Sequence, residues 1–215
     1  MEPIDDLKYS KRLRKPKGDI TLFSKGVDFI KVPDPPKNSS IDTGSEMLVV
    51  QGSTFLLRDS MKKSIRKHDQ DPAYAIKQYM DLFGLKYDLN FIQKIYEESG
   101  IIIKNIKNSF NRPRPKQLCP YFQIFFDTLP SKTNKTPSYP SGHTTQAFLI
   151  AHIYAQKYPE HGKNLFKAAE ECGSGRVMAG FHFPSDHKAG IYLAKRLFYY
   201  MKKNNDMKYC RIFDL

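Results

Sequence analysis

The amino-acid sequence predicts an all-α protein, a single-domain helical bundle whose polar functional residues sit at helix ends around a common cleft. Three observations predict this class. Apolar residues between Asp88 and Phe110 recur at helical spacing. No segment shows the sustained alternation of a half-buried strand, and the chain contains no internal repeat. Its 215 residues, 40% hydrophobic content and mean hydropathy of -0.56 suit one soluble globular domain with a core of its own.

Residues 1–44 read as a basic, proline-rich arm and linker. The run from Lys8 to Lys17 carries Lys8, Lys11, Arg12, Arg14, Lys15 and Lys17, and its composition favours a solvated arm. Lys31-Val32-Pro33-Asp34-Pro35-Pro36-Lys37-Asn38-Ser39-Ser40 defeats a helix and favours an extended linker. A helical catalytic domain is expected over 45–205, followed by a tail over 206–215. Its first helix begins near Ser45 and carries Met47, Leu48, Phe55, Leu56 and Met61, with cations near its C-terminal end. Asp71-Pro72 opens a second, through Tyr74, Ile76, Tyr79, Met80 and Phe83, stopped by Gly84. The third follows from Asp88 to Phe110 and must end at Asn111-Arg112-Pro113-Arg114-Pro115, because each proline disfavours helix in the residue before it. Residues 116–138 read as a long loop of the kind that is usually a functional lid or disordered. Helices are then expected from Ser141 or Gly142 through Tyr154, over roughly Gly162 to Arg176, and from near Ser185 through Phe198.

Composition excludes several functional classes. The longest apolar stretches, Ala147–Ala155 and Ile191–Met201, fall short of the roughly 18–20 residues that a membrane span needs. The start of the chain is polar and lacks a hydrophobic signal core, so an intracellular, soluble protein is expected. Cys119, Cys172 and Cys210 lie far apart, which argues against a disulfide framework or a zinc site. The net charge of +13 attracts phosphate esters, but equally nucleic acid or an anionic membrane surface.

Three short segments carry the chemistry: Lys107-x6-Arg114-Pro115, Pro140-Ser141-Gly142-His143 and Arg176-x5-His182-x3-Asp186. A carboxylate near His182 can hold the Nδ1 proton and leave Nε2 with a free lone pair, and an oriented neutral imidazole is a competent nucleophile towards phosphorus. Ser141 and Gly142 open a helix whose unpaired N–H groups favour an anion, with Gly142 permitting close approach. His143, on the first turn, is placed to protonate a departing alkoxide. Lys107, Arg114 and Arg176 supply fixed positive charge for phosphoryl oxygens, so neither metal nor other cofactor is expected. Each segment alone has a bland reading as a helix end, a turn or a structural ion pair. Their joint order and spacing favour the site. His68 and His161 read as surface residues and His152 as packing. His187, beside the site, is either a supporting or a surface residue, while Tyr121, Phe122 and Tyr139 either line a substrate mouth or pack under the loop.

These motifs resemble the superfamily of type 2 phosphatidic acid phosphatases, class A bacterial acid phosphatases and vanadium haloperoxidases, over residues 107–186. Tyr139-Pro140-Ser141-Gly142-His143-Thr144 looks most like its soluble branches. The resemblance implies a helical bundle in which His182 forms the phosphoenzyme, Asp186 orients it and His143 is the general acid. Lys107, Arg114, Ser141, Gly142 and Arg176 would hold the phosphoryl oxygens. One departure is Gly175, where the family places serine before the arginine; Ser174 is adjacent but points elsewhere on a helix. The expectation is a metal-independent phosphatase acting on a phosphorylated small molecule or lipid, with vanadate bound as a phosphate mimic. The alternatives are a vanadate-dependent haloperoxidase and a non-catalytic protein whose basic arm associates weakly with anionic surfaces, Gly175 then being an early sign of decay.

Overall fold

The computed structural model describes residues 2–205 and is all-helical, as the periodicity predicts. Its α-helices are α1 (Ile41–Phe55), α2 (Asp59–Gln70), α3 (Tyr74–Leu82), α4 (Leu89–Phe110), α5 (Pro115–Phe122), α6 (Gly142–Lys157), α7 (Gly162–Met178) and α8 (Pro184–Asn205). The expected tail at 206–215, with Cys210, lies outside the described residues. Helix α6 is apolar nearly all round, from Ala147 to Tyr154, and a helix of that kind must be surrounded. It occupies the centre, packed against α4, α7 and α8. Cys119 and Cys172 are buried free thiols.

The long helix lies where its period and punctuation put it. Asp88 caps α4 by accepting from Asn90 N and Phe91 N, and Ile92, Ile95, Ile102 and Ile103 face the core. Elsewhere the structure corrects the sequence reading. The first expected helix is two, α1 and α2. Helix α1 starts at Ile41 rather than Ser45, because the Ser40 side chain caps it by accepting from Thr43 N. Residues 116–138 are not wholly loop. Pro115 occupies the first helical position of α5, where its missing N–H costs nothing, and Gln117 Oε1 accepts from Arg114 N to fix that end. Prolines read as helix breakers therefore concealed a helix start.

Residues 2–40 contain one short 3-10 turn (Val27–Phe29) but are firmly attached. Leu22, Phe23, Val27, Ile30 and Val32 are buried in the main core with residues of α4, α6 and α8. Upstream, residues 9–22 run antiparallel along α4. Tyr9 N donates to Asn111 O, Asn108 Nδ2 to Arg14 O, and Thr21 N and Leu22 N both to the Glu98 carboxylate. The basic arm is thus laid against the helix that carries Lys107.

Candidate active site

Helix α7 ends at Arg176 and its neighbours, Gly180 turns the chain, and α8 begins at Pro184, so His182 sits in the connection between them. Asp186, on the first turn of α8, reaches back: its Oδ2 accepts from Phe183 N at 3.0 Å and faces His182 Nδ1 at 3.1 Å. Arg114 Nη1 approaches the other ring nitrogen, Nε2, at 3.4 Å. A carboxylate can only accept and a guanidinium can only donate, so the proton is on Nδ1 and the lone pair on Nε2. Burial, followed by the charge of Arg114, pushes the His182 pKa well below the usual histidine value despite the nearby carboxylate. Burial alone would raise Asp186. The Arg112 charge and the His182 hydrogen bond outweigh it and hold the carboxyl at about 2.

His143 stands on the first turn of α6. Its Nε2 lies 3.2 Å from the backbone carbonyl of Asp69, which assigns the proton to that nitrogen. Burial and then the charge of Arg176 push its pKa well down as well. His143, His182, Lys107, Arg114, Arg176 and Gly142 all line one cavity of about 140 Å³. Asp186 lies behind His182. Ser141 does not line the cavity: it is buried at the start of α6, where its hydroxyl accepts from Thr144 Oγ1 at 2.9 Å and its backbone N–H donates to Asp186 O at 3.0 Å.

The three cations are almost fully buried, and residues 133–138 supply much of what they hold. Lys107 Nζ donates to Pro137 O and Ser138 O, and Arg114 Nε to Thr136 O. Arg176 Nη2 donates to Thr133 Oγ1 and Asn134 Oδ1, while its Nη1 is paired with Asp69 Oδ1 at 2.7 Å. Arg176 Nε is buried without a hydrogen-bond partner among the described residues. Burial, then the neighbouring Arg114, pushes the Lys107 pKa well below that of a free lysine.

The sequence reading missed three groups here. Asp69, at the end of α2, joins Arg176 and His143 from across the chain. Arg112 bridges Asp186 Oδ1 at 2.7 Å and Glu46 Oε2 at 3.2 Å, with its guanidinium 4.0 Å above the Phe183 ring. Glu46 in turn accepts from Ser185 Oγ. The available signal for Arg112 was a second arginine within Arg112-Pro113-Arg114-Pro115. Nothing local marks Asp69 or Glu46, which α1 and α2 deliver from outside the motif region.

Other side chains differ from expectation. His68, read as a surface residue, is buried on α2 one turn beyond Ile65, against the edge of Tyr74. His161 is half-buried and bonded to Tyr79 OH at 2.8 Å. His187 joins a chain running from Glu170 Oε1 (3.0 Å) through its ring to Thr144 Oγ1 (3.1 Å) and so to Ser141. Tyr139 is buried against Phe110, and Tyr121 and Phe122 pack around Met47 and Leu118; none of the three lines the cavity. Ser174 Oγ is spent on Glu170 O. A Cβ at Gly175 would lie 3.1 Å from Ile65 Cγ1, so α2 packs closely over the position where serine was expected.

Comparison with known proteins places this geometry among relatives. Residues 97–208 match the PAP2 superfamily. The acid phosphatase of Zymomonas mobilis is 29% identical over 179 residues, 75% of this chain and 64% of that protein. The non-specific acid phosphatase of Salmonella typhi is 42% identical over 59 residues, 27% of this chain and 24% of its own. A lipid A 1-phosphatase of Rhizobium johnstonii is 31% identical over 93 residues, 43% of this chain and 38% of that protein. The chain thus spans less than two thirds of the length of each of these relatives. A transmembrane PAP2-type phosphatidylglycerolphosphate phosphatase from Bacillus subtilis shares the fold, with a TM-score of 0.54 at 19% identity over 79% of this chain and 89% of that one. Among the described residues of this chain, no helix is long and apolar enough to cross a membrane.

Proposed function

Because the chain belongs to the PAP2 superfamily, we propose that it is a phosphatase hydrolysing phosphate monoesters through His182, without need of a metal. One observation carries this reading: two imidazoles and three buried basic side chains line a single cavity of about 140 Å³, a fit for one phosphoryl group. His182 Nε2 attacks phosphorus as the ester P–O bond breaks, forming a P–N bond. Lys107, Arg114 and Arg176 hold the charge on the phosphoryl oxygens. His143 takes up a second proton, on Nδ1, as the phosphate dianion binds beside it; it gives that proton to the departing alkoxide, then accepts one from the water that cleaves the P–N bond. Asp186 keeps the His182 proton on Nδ1 throughout.

Nothing about the cradle restricts the alcohol, so a lipid or a water-soluble ester could each present its phosphate there. The acid phosphatase and lipid A 1-phosphatase relatives support phosphate ester hydrolysis in general. The decisive experiment is turnover of p-nitrophenyl phosphate in EDTA. Activity should persist, vanadate should inhibit it, and His182→Ala should abolish it. Undiminished turnover by that variant would remove His182 as nucleophile, and halide oxidation by the vanadate-loaded protein with negligible ester hydrolysis would replace the reading with haloperoxidase chemistry.

A further inference from the structure

The phosphate-sized cavity has a neighbour that the reaction just described does not use. Between the arm and α4 lies a groove of about 500 Å³, walled on one side by Lys17 and Asp19 and on the other by Lys94, Glu97 and Lys104. Gly100 and Lys104 border both this groove and the phosphate cavity, so the two spaces adjoin. The arm is held in place to form the outer wall. Arg14 O accepts from Asn108 Nδ2 on one side of the groove segment, and the Glu98 carboxylate accepts from Thr21 N and Leu22 N on the other. Between them Gly18 lies so close to Ile101 that a Cβ would come within 2.7 Å of its side chain.

We propose that this groove is the leaving-group subsite and that it takes a polyhydroxylated, uncharged alcohol, such as the sugar of a phosphorylated oligosaccharide. The inference rests on the phosphatase reading above. In-line attack by His182 sends the leaving oxygen to the opposite side of the phosphoryl group, towards His143. One turn beyond His143 on α6, Gln146 borders the cavity and faces Gly100, where a Cβ would lie 4.0 Å from Gln146 Nε2. The leaving group therefore passes over Gly100. At 1.5 Å per residue, Gly100 lies about 10 Å along α4 from Lys107, and Lys94 about 20 Å, a span suited to two linked sugar rings.

The wall chemistry selects the class. Ammonium groups (Lys17, Lys94, Lys104) share the walls with carboxylates (Asp19, Glu97), so hydroxyls, which both donate and accept, can satisfy both. An acyl chain would desolvate these charges without replacing their hydrogen bonds. A second phosphate would pair with the lysines only while facing Asp19 and Glu97, a repulsion that uncharged hydroxyls avoid. Glycine in the middle of a helix is less favourable than alanine, and at Gly100 the missing side chain leaves the junction open.

The test compares kcat/KM for p-nitrophenyl phosphate, trehalose 6-phosphate and a short-chain phosphatidic acid, in wild type, Gly100→Leu and a Lys17→Ala/Asp19→Ala double variant. Wild type should prefer trehalose 6-phosphate over the lipid by at least tenfold. Gly100→Leu should lower the ratio of trehalose 6-phosphate to p-nitrophenyl phosphate turnover by tenfold or more without lowering Tm. The arm double variant should lower the same ratio several-fold, through KM. Hydrolysis of p-nitrophenyl phosphate with no preference for the disaccharide, or with ratios unmoved in both variants, overturns the groove alone. Hydrolysis of none of the three esters overturns the phosphatase reading and the groove with it.

Discussion

Asp186 is fully buried and carries a negative charge whose balancing cation, Arg112, is nearly as buried. Removing one partner of such a pair leaves the other uncompensated, at a cost of about 3–5 kcal/mol. Arg112→Ala should therefore destabilise the fold by that order in urea unfolding at pH 7, and should impair turnover, since Asp186 sets the His182 tautomer. The sign of the pH dependence follows from the shifts. Asp186 is held at about 2 against 3.8, so the unfolded chain takes up that proton first. Its stabilisation, on the order of 2 kcal/mol, is complete above about pH 4 and is lost as pH falls through 2. His143 and His182 are also depressed, which keeps them neutral in the fold. Their share is intact above the unfolded value of 6.5 and declines as pH drops below it. Urea midpoints from pH 8 to pH 2 should accordingly fall in two stages. An oxyanion beside His143 favours its protonated form, while His182 keeps its lone pair for the bond to the central atom, so vanadate binding at pH 7 should take up protons. Calorimetry in buffers of different ionisation enthalpy reads this directly, and a zero slope would contradict it.

At the scale of elements, the site depends on how closely α7 approaches its neighbours. Gly173 on α7 lies where a Cβ would fall 2.3 Å from the His187 ring of α8 and 3.0 Å from Thr144 of α6. Gly173→Ala must push the ring away and break the chain from Glu170 through His187 to Thr144 and Ser141. Overpacking of this kind costs about 1–3 kcal/mol, so a lower Tm is expected, with partial recovery on adding His187→Ala. A full additive loss in the double variant would show that the clash lies elsewhere. Gly175 has the same origin in packing: α2 lies over it, and the same face of α2 carries Ile65, His68 and Asp69. The family serine is missing where Ile65 of α2 packs against α7, and the same helix brings Asp69 to Arg176.

For the molecule as a whole, the arm is both structure and electrostatics. Residues 22–32 contribute to the main core, so truncation of residues 1–32 should unfold the protein or lower its Tm sharply. Replacing the exposed Lys11, Arg12, Arg14 and Lys15 by glutamine should instead leave Tm nearly unchanged. It should lower kcat/KM for anionic esters at low ionic strength, with the difference vanishing above about 0.5 M salt as exposed charges are screened. A salt-independent defect would assign those cations to direct contact rather than to attraction.

Local information was legible in the sequence because one helix or one turn suffices to express it. The 3.6-residue period gave α4, Gly142 and Pro184 lie at the starts of α6 and α8, and the spacing of Lys107, Arg114, His143, Arg176 and His182 named residues that share one cavity. Only the tertiary structure could decide what those residues hold. Asp69 and Arg176 are separated by 107 positions, Arg112 and Asp186 by 74, and Thr21 and Glu98 by 77. No periodicity spans such distances. These pairings are chosen when buried charges, costly to leave unpaired, find each other as α1, α2 and the arm close over the central helices.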